Sequence, residues 1–263
     1  MNKRKLLLVA LALSMVAILA VGGTLAYFTD TDFETNVFTV GNVQIDLIEQ
    51  QRGENGLEEF QDDKKLLPIV GSAQGEKDGY GLPTAENYVD KIVTVKVEKD
   101  SEDAYVRVLM AFPVAMDAND AANMPLHWSA GNKFVAEGGK ADPQAENADF
   151  DKWTMGLVHE GVAIAGCPGT YNIYSFTYEK VLSAEEVTGS ACVVGFYMDT
   201  RVDYDAKLGY VMKIDGKTIE LGDAIADGKV YIPVFAQGVQ AEGFTSATEA
   251  FTAAGLPTNP WAE

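Results

Sequence analysis

The chain has 263 residues, of which 47% are hydrophobic, and its 39 acidic and 20 basic residues give a net charge of −19. This apolar content excludes a wholly disordered chain and can supply the core of one ordinary domain. The acidic balance disfavours binding to nucleic acid or to anionic lipid, because both carry negative charge.

The N-terminus has the three parts of an export signal. Residues 1–5 include three basic side chains, residues 6–21 are apolar apart from one serine, and mostly small residues follow up to Ala26. We expect cleavage between Ala26 and Tyr27, which makes residues 1–26 a signal peptide. The alternative is a retained anchor, since the apolar run extended to Phe28 just reaches the ~20 residues of a membrane-spanning helix. Contact with a membrane is expected only through the uncleaved signal.

Alternation of apolar and polar side chains predicts a series of strands in the first half of the chain. The first covers residues 38–47, with a bulge at Gly41. Residues 89–98 and 104–112 alternate on either side of a polar turn, which predicts an antiparallel hairpin. The polar stretch 50–87 is interpreted as a long surface loop. Residues 113–150 are mixed and are interpreted as a second long loop, acidic around 142–151, with short strand candidates at 126–128 and 133–135. Residues 153–159 are another strand candidate.

The second half carries four further strand signals. Residues 171–182 have aromatic side chains on both faces, which favours a central strand, and residues 191–198 are almost entirely apolar. Asp215-Gly216 between two alternating arms predicts a hairpin. Pro233 within the strand predicted at 229–242 indicates a sheet edge or a bulge.

One helix is predicted near the C-terminus, over residues 247–254. Ser246 and Glu249 form a capping box, Gly255 supplies a left-handed C-cap, and Pro257 prevents continuation. Together the elements predict an all-β protein. Its expected fold is a jelly-roll-like antiparallel β-sandwich with long acidic loops and a short C-terminal helix, forming a single domain over residues 27–263.

The two cysteines leave two alternatives open. Cys167 and Cys192 form a disulfide, as exported proteins permit, or they are two buried free thiols.

The histidines do not form a recognisable zinc motif. His159-Glu160 begins like the zinc-protease helix motif, but Ala163 occupies the position of its second histidine. His127 is the other histidine of the chain, and its separation from His159 does not match the spacing of metal ligands. We expect no catalytic zinc.

Other chemical motifs are also missing from the sequence. Asp30, Asp32 and Glu34 alternate, but they lack the glycine turn and closing glutamate of a calcium-binding EF-hand loop. The sequence has no nucleophile elbow, phosphate-binding loop or dinucleotide fingerprint after a strand. We therefore expect a protein that is not an enzyme and has no cofactor.

The stretch that runs from the signal into the first strand contains a distinctive set of residues: "GGTLAYF" at 22–28, Asp30 and Asp32, and then Asn36, Phe38, Gly41, Val43 and Leu47. With these residues it resembles the TasA/camelysin family, whose members are exported and cut by the signal peptidase SipW. Residues 89–112, 171–186 and 234–251 are similar to later parts of the family more loosely.

This resemblance implies a jelly-roll sandwich secreted by a Gram-positive cell to the cell surface or beyond it. TasA-like members assemble into biofilm-matrix fibres, in which residues after the cut add a strand to the next subunit. The resemblance therefore implies a homopolymer, with residues 27–40 as the donor segment. The apolar side chains expected to fill the neighbour are Tyr27, Phe28, Phe33, Val37 and Phe38.

Three alternatives stay open. In the first, the same N-terminal residues form the first strand of their own sandwich. In the second, the protein is a monomeric secreted adhesin or binding module. Camelysin-like members are described as metalloproteases, but the ligands for that activity are not recognisable in this sequence.

Overall fold

The computed structural model describes residues 42–53, 56–61, 88–117, 124–130, 152–222, 224–225 and 229–262. These residues form twelve strands, a 3-10 turn (Val114–Met116) and one α-helix, α1 (Ala247–Ala254). In chain order the strands are β1 (Ile45–Gly53), β2 (Gly56–Glu59), β3 (Val89–Val97), β4 (Ala104–Pro113), β5 (Leu126–Ala130), β6 (Trp153–Val162), β7 (Tyr171–Tyr178), β8 (Val193–Met198), β9 (Val202–Asp205), β10 (Gly209–Ile214), β11 (Lys217–Glu220) and β12 (Val234–Gln240).

Two antiparallel sheets pack face to face, which confirms the predicted β-sandwich. The first sheet has the order β2-β1-β3-β8-β5 and the second the order β12-β4-β7-β6. A small sheet, β11-β10-β9, contributes side chains to the same core. Pairs such as β3–β8 and β12–β4 join strands far apart in the sequence, so the chain crosses between the sheets as it does in jelly-roll folds.

The second sheet is covered on both faces. Side chains from alternate positions of β4, such as Val108 and Met110, point into the sandwich, whereas Leu109 and Ala111 belong to a cluster on the outer face. α1 covers the outer face beside Tyr105, with the chain after it packing further along. This double cover explains why every residue of β4 is buried, and why β7 carries apolar side chains on both faces.

The predicted hairpin of residues 89–98 and 104–112 is wrong. Its two strands, β3 and β4, lie in different sheets, with β3 between β1 and β8 and β4 between β12 and β7. The connection pairs with the chain before β1, because Glu98 donates its N–H to the carbonyl of Gln44 at 2.8 Å and Glu102 donates to that of Asn42 at 2.9 Å. Alternation located both strands but could not select their partners.

The interpretation of residues 50–87 as a long loop is wrong at its start. β1 continues to Gly53 and forms a hairpin with β2. The polar side chains of β1 are accommodated by partners in the sandwich: Lys91 donates to Glu49 Oε2 at 2.7 Å, and Gln51 donates to Glu58 at 2.7 Å. Residues 62–87 and most of the other predicted loop lie outside the described residues, as does the predicted bulge at Gly41.

Several local predictions are confirmed. Asp215 and Gly216 have φ values of 49° and 77° in the turn between β10 and β11, as a two-residue hairpin of the primed type requires. β12 is an edge strand, although it begins only after Pro233.

The helix also forms as predicted, with one difference in its cap. Ser246 accepts a hydrogen bond from the N–H of Glu249, and Gly255 has a φ of 63°. The Glu249 carboxylate accepts from the N–H and hydroxyl of Thr245, one residue earlier than the capping box predicts.

The hypothesised disulfide is not formed, because Cys167 and Cys192 are both free thiols. Cys192 lies in the core between the sheets, and Cys167 packs against the outer-face cluster of the second sheet. Burial raises the pKa of both thiols. The second sheet lies between the two cysteines and keeps them apart.

Among the described residues, no helix combines the length and the apolar character needed to cross a membrane.

Candidate assembly site

The residues assigned to cleavage and assembly fall outside the part of the chain that the structure describes. They are Ala26, Tyr27, Phe28, Phe33, Val37 and Phe38, within or next to the donor range 27–40. Cleavage and strand donation therefore stay predictions for these residues. Asp30, Asp32 and Glu34 also lie outside the described residues.

The N-terminal segment joins the sandwich at Asn42. The Asn42 side chain donates to the carbonyl of Asp100 at 2.8 Å. Val43 is buried and packs close to Gly238 of β12, where an added Cβ would lie 2.9 Å from Val43 Cγ1. The residues before Asn42 are therefore attached where β1 meets β12, on one side of the sandwich.

The opposite side of the sandwich ends in two other edge strands, β5 and β6. β5 has five residues and β6 has ten. Within the described residues no strand pairs with the outer side of β6. β6 contains no proline or lysine, the residues that commonly protect sheet edges from unwanted pairing.

The outer side of β6 presents backbone hydrogen-bonding groups. Glu179 donates its N–H to the carbonyl oxygen of Lys152 at 2.8 Å, immediately before β6. Antiparallel neighbours alternate between pairs that exchange hydrogen bonds and pairs that do not. Because the register of β6 and β7 is regular up to Leu157, this alternation directs the N–H and C=O groups of Met155 and Leu157 away from β7.

Apolar side chains line the inner faces between β5 and β6. The Trp128 ring of β5 stacks on Phe112 with centroids 4.8 Å apart, and Tyr174 meets Phe112 edge-on at 5.6 Å. Met155 packs against the core, whereas Leu157, opposite Tyr174, is 38% exposed. We call Trp128, Met155, Leu157 and Tyr174 the open side.

A buried carboxylate lies at one end of the open side. Asp117 Oδ2 accepts hydrogen bonds from Asn172 Nδ2 at 2.7 Å and from the Tyr174 hydroxyl at 2.8 Å. Its Oδ1 is buried and has no hydrogen-bond partner among the described residues. Burial and the hydrogen bond to Asp117 raise the pKa of Tyr174. No sequence pattern predicted this cluster, because Asp117 and the β7 residues Asn172 and Tyr174 are distant in the chain and meet only in the tertiary structure.

The histidines occupy separate hydrogen-bonded sites on β5 and β6. His127 Nε2 lies 2.8 Å from Asp199 Oδ2, and His159 Nε2 lies 2.9 Å from Thr258 Oγ1. Arg201 also binds Asp199. The described residues contain no group of three or more His, Cys, Asp or Glu side chains arranged to hold a metal ion.

Comparisons of the chain with protein-family models, with characterised proteins and with solved structures gave no match. The similarity to the TasA/camelysin family therefore depends on the sequence stretches that carry it.

Proposed function

We propose that this chain is a secreted structural subunit of an extracellular surface or biofilm-matrix fibre. A signal peptidase of the SipW type removes residues 1–26, and the freed segment 27–40 adds a strand to another copy. The observation that carries the proposal is the ten-residue outer edge of β6 beside the half-buried rings of the open side.

The chemistry of this edge suits an added strand. The outward N–H and C=O groups of Met155 and Leu157 form hydrogen bonds to an incoming backbone, and alternate side chains of that strand contact the open side. The segment 27–40 is rich in threonine, valine and phenylalanine, which favour strands. Of its apolar residues, Tyr27, Phe33 and Val37 are separated by even intervals and therefore share one face of an extended strand, whereas Phe28 and Phe38 lie on the other face.

The positions of the donor segment and the acceptor edge favour assembly into a filament. The donor segment leaves the sandwich where β1 meets β12, and the acceptor edge is at the far side of both sheets. A contact between two different surfaces of identical subunits is head-to-tail, and it produces a filament unless the rotation closes a ring.

A second candidate is a monomeric secreted binding module. Trp128, Tyr174 and the exposed Leu157 are side chains of the kind that line ligand sites. In that case the open side binds an external ligand, and the mature protein stays monomeric.

Electron microscopy separates the two functions. The chain beginning at Tyr27 is purified and imaged by negative stain beside a version beginning at Gly41. Filaments from the longer form alone support strand donation by residues 27–40. Monomers from both forms at high concentration contradict the fibre proposal and favour the binding module.

A further inference from the structure

We propose that Asp117 receives the α-ammonium group of Tyr27 from a neighbouring copy, so that signal cleavage creates the charge that anchors the donor strand. The inference rests on the proposed function and adds to it the direction of the donor strand and the reason why assembly requires cleavage.

The first step is the state of the Asp117 carboxylate. It is 9% exposed, and its Oδ2 is occupied by two neutral donors, Asn172 and Tyr174. Its Oδ1 is buried, and no described residue forms a hydrogen bond to it. Buried carboxylates are normally paired with a cation or fully hydrogen-bonded. No salt bridge reaches Asp117 from the described residues, so the cluster can accept one further donor, preferably a charged one.

The second step is the charge of the donor segment. Residues 27–40 contain no lysine or arginine. After cleavage, their single cationic group is the α-ammonium of Tyr27. Before cleavage the same nitrogen belongs to the peptide bond with Ala26 and carries no charge. A carboxylate that binds this nitrogen therefore distinguishes the mature chain from its precursor.

The third step is position. Asn172 connects Asp117 to β6, because its Oδ1 accepts a hydrogen bond from the N–H of Gly161 at 3.1 Å. Gly161 is near the end of β6, so a donor strand running antiparallel to β6 begins beside Asp117. The opposite orientation would bring the ammonium to the start of β6, next to the cationic Lys152. The anchor therefore favours antiparallel addition.

The fourth step is the surroundings of the carboxylate. The ring of Tyr174 is in contact with Phe112 and Trp128, which provides an apolar wall for the Tyr27 side chain. A calcium ion fits the cluster less well. Calcium requires about six to eight oxygen ligands, whereas the two neighbours of Asp117 described here present donor hydrogens to it.

The test compares filament assembly by four forms of the mature chain beginning at Tyr27. They are the unmodified protein, the protein acetylated at its N-terminus, Asp117→Asn, and Asp203→Asn as a matched control on exposed β9. The critical concentration for filaments is measured by sedimentation and electron microscopy. We expect acetylation and Asp117→Asn each to raise it about tenfold, as loss of one charged contact predicts. Asp203→Asn should leave it unchanged, and combining acetylation with Asp117→Asn should add little to either.

The outcomes test the binding of the Tyr27 ammonium by Asp117 separately from the fibre proposal. Unmodified filaments that are insensitive to acetylation overturn the anchor and leave the fibre proposal intact. Absence of filaments from the unmodified chain overturns both. Acetylation leaves the folded sandwich unaltered, so its result stands even if thermal unfolding shows that Asp117→Asn is destabilised. Assembly that a chelator abolishes but acetylation does not would assign Asp117 to a metal ion and overturn the proposal.

Discussion

The guanidinium of Arg107 on β4 lies over the ring of Phe251 in α1, with its central carbon 4.4 Å from the ring centroid. The same side chain donates to Gln237 on β12 and to the carbonyl of Leu256 at 3.1 Å. Burial lowers the pKa of Arg107 to about 10. One buried cation thus joins two strands, the helix and the chain after the helix.

We expect Arg107→Lys to destabilise the protein by roughly 1–3 kcal/mol, because lysine cannot reproduce the planar fork and leaves buried acceptors unpaired. Urea unfolding followed by tryptophan fluorescence measures the loss. Arg201→Lys is the control, since Arg201 is 37% exposed and its pair with Asp199 should contribute less. Equal losses in the two variants would contradict the bridging role of Arg107.

Gly238 permits the close approach of β12 and β1. An added Cβ would lie 2.9 Å from side-chain carbons of both Val43 and Ile45. We expect Gly238→Ala to cost about 1–3 kcal/mol, as overpacking of a filled core does. Gly156→Ala, also within a strand, meets no atom within 4 Å and should change the free energy of unfolding by less than about 0.5 kcal/mol. Thermal unfolding compares the two.

The β6 edge can be blocked without altering the core. We expect Leu157→Lys to leave the sandwich folded and to prevent filaments, because a charge on this partly exposed position opposes strand addition. Leu208→Lys introduces the same change at another exposed leucine, in the turn between β9 and β10, and should assemble normally. Filaments from Leu157→Lys at the usual critical concentration would remove β6 as the acceptor.

Asp199 should make stability depend on acid pH. Burial raises its pKa, but hydrogen bonds from Arg201 and His127 outweigh burial and hold the pKa well below its usual value. A depressed folded-state pKa stabilises the protein above the unfolded pKa of about 3.9, and that stability is lost as the pH falls towards the folded value. We therefore expect Asp199→Asn to lower the Tm at pH 7 and to have a smaller effect at pH 3. A constant difference would contradict this assignment.

The sequence by itself determined the features that depend on neighbours in the chain. Alternation located β4 and β7, Asp215-Gly216 set the β10–β11 turn, and Ser246 with Gly255 bounded α1. These signals are local, since strand period, left-handed turns and helix caps each involve a few consecutive residues. They were sufficient to predict an all-β sandwich.

Only the tertiary structure decided the partners of each strand and the composition of the candidate site. Alternation shows which face of a strand is apolar, but β3 and β4 have compatible faces for pairing with each other and pair elsewhere. The polar end of β1 is a strand that pairs with β2 and β3, and its Glu49 forms an ion pair with Lys91. Asp117 acquired its place at the open side through Asn172 and Tyr174, more than fifty residues away. Such contacts join distant parts of the chain, and no short stretch of sequence encodes them.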